Sequence, residues 1–469
     1  MFLARLLVLF SLVCISCAHS SFEQKQLKHA LDFAASNRLE LEILLQHYTY
    51  DSLKLEAAKF LIRNMPHCYS YQQGGEMDSV KRVRTYYSPF GQIDQTYARR
   101  WGHYTYRNLP KIYDAHIITA EYLIDNIDRA FDNWQKRPWN RSLSFEDFCE
   151  YLLPYRIGDE PLEEWRELYE KKYGYLLDSI YKGGDVVEAA NLVSRHLQEP
   201  VFIYCEDFEL PHIGPRYLFS HRYGSCVDAA DIVTYAFRAV GIPCMEDTDA
   251  RGGHVWNVVR DTTGRDVPIW YIASEAVRGS RDTGGYKRGK VYRPMYGFQE
   301  EKAAHLGDDW KSVPLLFYHP YMKDVSYAYY PDTLRILTGI PDGEVCYLAH
   351  FHEAHWWSCA CARSASGKME IPNLESELVY LPMKYTKSNY YPSDFPFWFA
   401  GGEINTFLPD WEKTVKVRLY RKYPVYGWLR SFMGHVVGGT FEGSMTKDFE
   451  DGKTLYEIAD TPVIARNRI

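Results

Sequence analysis

The chain has 469 residues, which at about 100–200 residues per domain predicts two or three domains. Lys and Arg number 54 and Asp and Glu number 61, so the formal net charge is −7 and the basic excess of a nucleic-acid-binding protein is missing. Hydrophobic residues make up 46% and charged residues 25%, a balance that excludes an intrinsically disordered chain.

The N-terminus has the pattern of an export signal. Met1 to Arg5 is positively charged, and the apolar run from Leu6 to Ile15 is too short to span a bilayer. The segment Cys14-Ile15-Ser16-Cys17 resembles a bacterial lipobox, while Ser16-Cys17-Ala18 also fits an ordinary small-x-small cleavage site. We expect an exported chain that is lipid-anchored through Cys17 in the bacterial cell envelope (periplasm or outer membrane), with simple secretion as the alternative.

Hydrophobic periodicity changes along the rest of the chain. The first 200 residues are mostly helical by pattern, with runs from about Ser20 to Pro66 and from Ile117 to Trp134, an N-cap at Ser144, and a helix from Pro161 to Tyr173. Beyond residue 305, short strand-like runs are separated by Pro, Gly and Asn, which is typical of a β-sandwich or barrel. These runs are Val345–Ala349, Glu377–Leu381 and Val415–Leu419.

The segment around Cys226 contains the candidate nucleophile. From Cys226 to Val240 the apolar residues follow one helix face, and Gly241 and Pro243 end the helix. Cys226 therefore begins a helix, where the macrodipole favours the thiolate form. The preceding Gly224-Ser225 permits a tight turn into this helix. It also leaves backbone N–H groups free to donate hydrogen bonds to an oxyanion.

The run Gly252 to Val259 predicts a strand entered through glycines, and His254 on it is the candidate general base. The following turn predicts a hairpin in which Asp261 pairs with Asp266, so that Ala273 lies opposite His254. Asp266 would then be about 23 Å from the ring, and Glu275, two residues past the opposing position, is the predicted orienting acid. A register slipped by two, or an acid from another segment, is the alternative.

A helix-starting Gly-x-Cys, a strand His-x-Trp-Asn and an acid at the next strand resemble the transglutaminase-like superfamily, whose core is shared with papain-type cysteine proteases. The match covers Arg216 to Glu275. The family usually has an Asp about fifteen residues beyond the histidine, where this chain has Ile269 and Trp270. Leu152 to Leu162 and Asn37 to Glu40 also resemble segments of exported transglutaminase-like lipoproteins of Bacteroidetes.

The resemblance implies an α+β fold with a papain-like core and a triad of Cys226, His254 and Glu275. The predicted organisation is a signal at 1–17, a helical region at 18–110, a transglutaminase-like domain at 111–304 and a β-rich domain at 305–469. The predicted reaction is acyl transfer from an amide through a thioester: water as acceptor makes the protein a protease or amidase, and a lysine-like amine makes it a transglutaminase. Hydrolysis is slightly favoured.

The predicted partner is a peptide or protein substrate, including one that carries a linked glycan. We predict no cofactor and no nucleic-acid partner, and contact with the membrane only through the lipid anchor. The alternative is a catalytically silent protein of the same fold that binds peptide or glycan. Most remaining cysteines are expected to be buried, inert thiols. A second cluster has zinc-ligand residue types at a spacing that fits no standard site, so we predict strand and turn residues and no metal there. Its members are His350, His352, Glu353, His355, Cys359 and Cys361.

Overall fold

The computed structural model describes most of the chain, which divides into two compact units. The described residues are 22–87, 105–199, 201–204, 210–250, 253–270, 272, 274–280, 287–299, 315–337, 340–352, 355–386, 389–410, 412–413, 437–446 and 450–459. The first unit comprises Met1–Tyr286, Val291–Gly307 and Tyr318–Ala328, and the second comprises Lys287–Lys290, Asp308–Phe317 and Tyr329–Ile469. The predicted signal and Cys17 lie outside the described residues, as do Glu353 and the predicted strand Val415–Leu419.

Residues 22–33 are helical. The α-helices that follow are α1 (Arg38–His47), α2 (Ser52–Asn64), α3 (Gly75–Tyr87), α4 (Ala120–Lys136), α5 (Phe145–Tyr151), α6 (Arg166–Tyr175), α7 (Val186–His196), α8 (Pro215–Ser220), α9 (Cys226–Ala239) and α10 (Leu315–Tyr318). Within the described ranges, no helix is long and apolar enough to cross a bilayer.

The strands of the first unit are β1 (Tyr69–Tyr71), β2 (Lys111–Tyr113), β3 (Ile203–Tyr204), β4 (Tyr223–Gly224), β5 (Cys244–Asp249), β6 (Val255–Arg260), β7 (Asp266–Ile269), β8 (Val291–Pro294) and β9 (Met322–Asp324). Those of the second are β10 (Leu334–Leu337), β11 (Val345–His352), β12 (His355–Arg363), β13 (Lys368–Ile371), β14 (Leu378–Thr386), β15 (Asn389–Pro392), β16 (Phe397–Ala400), β17 (Glu403–Thr406), β18 (Thr440–Gly443) and β19 (Lys453–Glu457). Helices and mainly antiparallel sheets make the fold α+β, as predicted.

Local side-chain chemistry explains where one of the two predicted helices begins. Ser144 is the N-cap of α5, as predicted, because its Oγ accepts a hydrogen bond from Asp147 N at 3.0 Å. The helix predicted from Pro161 instead begins at Arg166, so that part of the prediction is wrong. The Glu160 carboxylate accepts hydrogen bonds from Ile157 N and Gly158 N, and these bonds hold the preceding segment in a loop.

Two hydrophobic cores stabilise the first unit. One joins α1, α2, α4 and α5 through buried residues such as Leu41, Leu61 and Leu123. The helices of region 18–110 therefore share a core with helices from beyond residue 110. The other core joins α6, α7 and α9 to the sheet, through residues such as Val233 and Val259. Helix α9 is almost wholly buried after its first two residues, which makes it the central helix of this core.

The sheet of the first unit has the order β7-β6-β5-β8-β9, with every neighbouring pair antiparallel. In the β6–β7 hairpin Arg260 pairs with Asp266, so the predicted pairing of Asp261 with Asp266 is wrong by one residue. Asp261 belongs to the turn, because its Oδ1 accepts hydrogen bonds from Thr263 N at 2.8 Å and Arg265 N at 3.0 Å. Paired residues of the ladder end at Ile269, before the position opposite His254 is reached.

The second unit is rich in β-strands, as predicted for the C-terminal region. Its largest sheet has the order β12-β11-β14-β16-β17, with β15 paired to β14 and all pairs antiparallel. The predicted strand Val345–Ala349 lies within β11, and most of the predicted strand Glu377–Leu381 lies within β14. Leu348, Tyr380 and Phe399 are buried on these strands and form part of the interior of this unit.

Candidate active site

Cys226 is the first residue of α9, as predicted, and it is partly exposed. The entry to this helix is fixed by Asp228, whose Oδ2 accepts a hydrogen bond from Ser225 N at 2.7 Å. A Cβ at position 224 would lie 2.4 Å from the Cβ of Asp228, so only glycine fits at Gly224 beside this carboxylate. Arg84 from α3 donates a hydrogen bond to Asp228 Oδ2 at 3.0 Å and offsets its charge in the buried first turn.

Three hydrogen-bonded contacts define how α9 lies on the sheet. Asn257 Nδ2 of β6 donates to Ala230 O at 3.0 Å, and Thr234 Oγ1 donates to Glu246 Oε1 of β5 at 2.6 Å. Further along the helix, Arg238 Nε donates to Cys244 O at 3.2 Å. Later residues of α9 thus meet earlier residues of β5, so α9 runs antiparallel to β5 and in the same direction as β6.

This direction brings the starts of α9 and β6 to the same end of the layer. Cys226 precedes Ala230 by about one helical turn, roughly 6 Å of rise. His254 precedes Asn257 by three residues, about 10 Å of strand. Val227 and Val255, the residues that follow the predicted nucleophile and the predicted base, line the same cavity. The fold therefore places the backbones of Cys226 and His254 at one end of the helix–strand pair.

His254 stands directly before β6 and faces an acid on β5. Its carbonyl oxygen accepts a hydrogen bond from Asp249 N at 3.3 Å, which continues the β5–β6 register by one pair. Residues paired in this way have side chains on the same face, with Cβ atoms about 5 Å apart. Asp249 is only 1% exposed, and its Oδ1 accepts a hydrogen bond from Gly253 N at 2.9 Å. The His254 ring packs on Trp256, with centroids 5.8 Å apart.

The structure places Glu275 in a surface ion pair. Its Oε1 accepts a hydrogen bond from Arg195 Nη1 of α7 at 3.1 Å, and 64% of its side chain is exposed. The acid beside His254 in the ladder is Asp249, from the preceding strand rather than the following one. The Gly252-Gly253 pair, which precedes His254 and follows a run that could be read as a strand, is the sequence signal for a hairpin that would have identified it.

A cavity of about 380 Å³ is lined by Val227 and Val255. It is also lined by His212, a histidine that the sequence did not indicate as a candidate site residue. Nδ1 of His212 lies 2.9 Å from Asp231 Oδ2, and Asp231 is a fully buried residue of α9. Only glycine fits at Gly158, because a Cβ there would lie 2.3 Å from His212 Nε2. The contact joins a loop histidine to a helix residue, so no local pattern predicts it.

Burial changes the ionisation of the groups around this cavity. It raises the pKa of Glu150 to about 7, although the backbone N–H groups of Tyr296 and Gly297 oppose the rise. Burial likewise raises the pKa of Glu246 above its ordinary range. For the His212–Asp231 pair, the negative Asp231, Asp159 and Glu160 outweigh burial and raise the pKa of the imidazole. These negative charges therefore favour the protonated form of the His212 ring.

The cysteines of the described ranges form no disulfide with one another. Cys68, Cys149, Cys244, Cys346 and Cys359 are buried, as expected for inert thiols, whereas Cys226 and Cys361 are partly exposed. Burial raises the pKa of Cys68 and of Cys244 to about 12, which suppresses their thiolates. Cys226 is thus the more accessible thiol within the described part of the first unit.

The histidines of the second cluster lie in the β11–β12 hairpin. His350 is buried and pairs with Trp357, whereas His355 at the start of β12 is exposed. Within the described ranges, no three His, Cys, Asp or Glu side chains form a group that could hold a metal ion. No protein-family model, curated protein or solved structure matches this chain.

Proposed function

We propose that this protein is an exported, cysteine-dependent acyl-transfer enzyme that acts on amide bonds, with Cys226 as nucleophile and His254 as general base. The observation that carries the proposal is the position of a partly exposed cysteine at the first residue of α9, with β6 running beside it in the same direction. The resemblance to a transglutaminase-like, papain-like core supports the same roles.

In the proposed reaction His254 accepts the Cys226 proton, and the thiolate attacks the carbonyl carbon of an amide. Backbone N–H groups at the start of α9 stabilise the oxyanion. Collapse of this intermediate breaks the C–N bond, and the amine leaves with the proton that the imidazole returns. The thioester on Cys226 is then attacked by water, which gives an acid, or by an amine, which gives a new amide. We favour hydrolysis of a peptide or protein substrate.

Asp249 is the residue that we assign to orient the His254 ring in this reaction. It is buried and lies opposite His254 in the β5–β6 ladder, whereas the Glu275 carboxylate is engaged by Arg195. A buried carboxylate beside the imidazole would also stabilise the imidazolium that forms when the thiol ionises.

The pH dependence of iodoacetamide alkylation at Cys226, followed by mass spectrometry, tests these roles. We expect fast labelling near pH 6, slowed roughly tenfold or more by His254→Ala, because an unassisted thiol ionises only near pH 8.5. Labelling of the partly exposed Cys361 serves as the internal control and should not change. If labelling of Cys226 begins only near pH 8.5 and is unchanged by His254→Ala, the proposed enzymatic activity is contradicted. The alternative is then a catalytically silent protein of this fold that binds peptide or glycan.

Asp249→Asn and Glu275→Gln are the matched pair for the orienting acid, since each removes one negative charge at similar volume. We expect Asp249→Asn to slow labelling of Cys226 near pH 6 and Glu275→Gln to leave it unchanged. If Glu275→Gln slows the labelling and Asp249→Asn does not, Glu275 is the acid that orients the His254 ring.

We also propose that the chain is lipid-anchored through Cys17 in the bacterial cell envelope. Two features of the sequence support this location: the apolar run Leu6–Ile15, and the lipobox-like segment Cys14-Ile15-Ser16-Cys17 at the end of that run. When the full chain is expressed in a bacterium that acylates lipoproteins, we expect it to enter the detergent phase in phase separation and Cys17→Ser to move it to the aqueous phase. Wild-type protein in the aqueous phase, cleaved near Cys17, would instead indicate simple secretion.

A further inference from the structure

The arginines and one aspartate around the cavity beside α9 already have partners inside the protein. Arg293 donates to both carboxylate oxygens of Asp247, at 2.6 and 3.0 Å. Arg156 Nε donates to Asp114 Oδ2 at 2.6 Å, and Arg238 donates to backbone carbonyl oxygens. An ion that entered the cavity would have to compete with these partners.

Burial reduces the charge of other groups that line the cavity. It raises the pKa of Glu150 to about 7 and that of Glu246 above its ordinary range, so both carboxyl groups are less negative than exposed ones. It also lowers the pKa of His67 to about 3, so this ring is uncharged at neutral pH. Paired and suppressed charges together favour an uncharged ligand.

His212 presents an available ring nitrogen to the cavity. Nδ1 lies 2.9 Å from Asp231 Oδ2, and none of the described residues forms a hydrogen bond with Nε2. A Cβ at Gly158 would lie almost equally far from Nε2 and Cδ2, at 2.3 and 2.4 Å, so this glycine covers the face of the ring and does not block the in-plane direction of Nε2. The His212 side chain is 23% exposed and lines the cavity, so a ligand can reach Nε2.

A hydroxyl group suits this nitrogen better than an ion does. The surrounding acids raise the pKa of the His212 imidazole, and in the protonated ring Nε2 is a donor. In the neutral ring with Nδ1–H directed at Asp231, Nε2 is an acceptor. A hydroxyl accepts in the first case and donates in the second, whereas an ammonium group only donates and a carboxylate only accepts. The hydroxyl therefore matches both protonation states.

The walls of the cavity suit an aromatic ring. Tyr296, Tyr321 and His67 line it, and the His67 ring stacks on Tyr321 with centroids 3.4 Å apart. Met245 and Met322 also line it, and methionine sulfur makes favourable contacts with aromatic edges. Aromatic and thioether walls with a single polar group in reach are typical of a site for an aromatic ligand.

The distance along α9 indicates the length of that ligand. Val227 follows Cys226 and lines the cavity, and Asp231, which holds His212, lies one helical turn further, about 6 Å along the helix axis. A group attached beside Cys226 therefore passes the aliphatic Val227 before it reaches the His212 ring. This separation is comparable to the length of a tyrosine side chain from its Cα to its hydroxyl.

We propose that this cavity binds a phenol ring, the side chain of a substrate tyrosine beside the amide that Cys226 attacks, and that His212 Nε2 forms a hydrogen bond with the phenol hydroxyl. His212 is then a specificity-determining residue, and Asp231 positions its ring. Only the link to the substrate rests on the proposed function, because binding of a phenol requires no reaction at Cys226.

Ligand-detected NMR on the full chain near neutral pH tests the proposal with p-cresol, the side chain of tyrosine. Toluene is the matched ligand without the hydroxyl, and butylamine and propionate carry a positive and a negative charge. We expect p-cresol to bind about fivefold more tightly than toluene, the gain from one hydrogen bond, and about tenfold more tightly than either charged ligand. Equal binding of p-cresol and toluene, or tighter binding of a charged ligand, would overturn the proposal.

His212→Asn tests the hydrogen bond, because the asparagine amide can still donate to Asp231 but has no atom in the place of Nε2. We expect p-cresol binding to fall to the level of toluene and toluene binding to stay unchanged; undiminished p-cresol binding contradicts the proposal. His47→Asn is the matched control at an exposed histidine of α1 and should change neither. If His212→Asn does not fold by circular dichroism, Val227→Phe takes its place, and its larger side chain should weaken the binding of p-cresol and toluene together.

Alkylation distinguishes this proposal from the thiol chemistry. N-acetyl-tyrosine chloromethyl ketone should label Cys226 about tenfold faster than the alanine reagent, because the phenol ring anchors it in the cavity. Equal rates for the two reagents, with iodoacetamide still fast near pH 6, would contradict the tyrosine site and leave the proposed nucleophile in place. Slow labelling by all three reagents would contradict the nucleophile, and p-cresol binding would then decide the cavity alone.

Discussion

Replacement of Asp114 by alanine is expected to lower the free energy of unfolding by about 3–5 kcal/mol, the cost of leaving a buried charge without its partner. Asp114 is fully buried, and its Oδ2 accepts hydrogen bonds from Arg156 Nε at 2.6 Å and Tyr155 Oη at 3.0 Å. Arg156 Nη2 also donates to Oδ1, so the pair is bidentate. Without Asp114, the Arg156 guanidinium would remain in the interior, and Glu160 would be its one remaining ion-pair partner among the described residues.

Urea unfolding with linear extrapolation measures this loss. Asp32→Ala is the matched control, because Asp32 also forms an ion pair with an arginine, Arg38, but at the surface, where water screens the charges. We expect the control to leave the midpoint nearly unchanged. A similarly small change for Asp114→Ala would show that the buried pair adds little to stability.

The sequence predicted the elements that carry the candidate nucleophile and base because their signals are local. Helix α9 begins at Cys226, and β6 begins one residue after His254, where the apolar periodicity and the glycines indicate. The order of the elements and the β-rich character of the second unit were predicted for the same reason.

What the sequence did not predict depends on side chains that meet across the fold. The hairpin register was wrong by one residue because the Asp261 carboxylate accepts hydrogen bonds within the turn, which the pattern of apolar residues does not show. That register placed Glu275, on the following segment, nearest to His254, whereas the structure places Asp249 opposite His254 in the β5–β6 ladder. The His212–Asp231 contact could not be predicted, because it joins a loop to a helix that no periodicity relates.

The second large effect is a pH dependence of stability that originates at Glu150. Burial raises the pKa of this carboxyl from 4.5 to about 7, while the charges of Arg238 and Lys323 lower it to a smaller extent. The folded state therefore binds a proton more tightly than the unfolded state. The stabilisation is complete below about pH 4.5 and is lost as the pH rises through about 7. At about 1.4 kcal/mol per pKa unit, the loss amounts to about 3 kcal/mol.

Glu150→Gln should remove this dependence, since glutamine has no proton to lose. The substitution carries its own cost at every pH, because the Tyr296 and Gly297 N–H groups now share a single amide oxygen. The readout is therefore the change between urea unfolding near pH 5 and near pH 8, compared for the variant and the wild type. We expect the wild type to lose about 2.5 kcal/mol more than the variant over this interval, because a small part of the loss has already occurred at pH 5. Equal slopes would mean that Glu150 ionises in the folded protein as it does in the unfolded chain, and that the cavity wall admits water to this carboxyl.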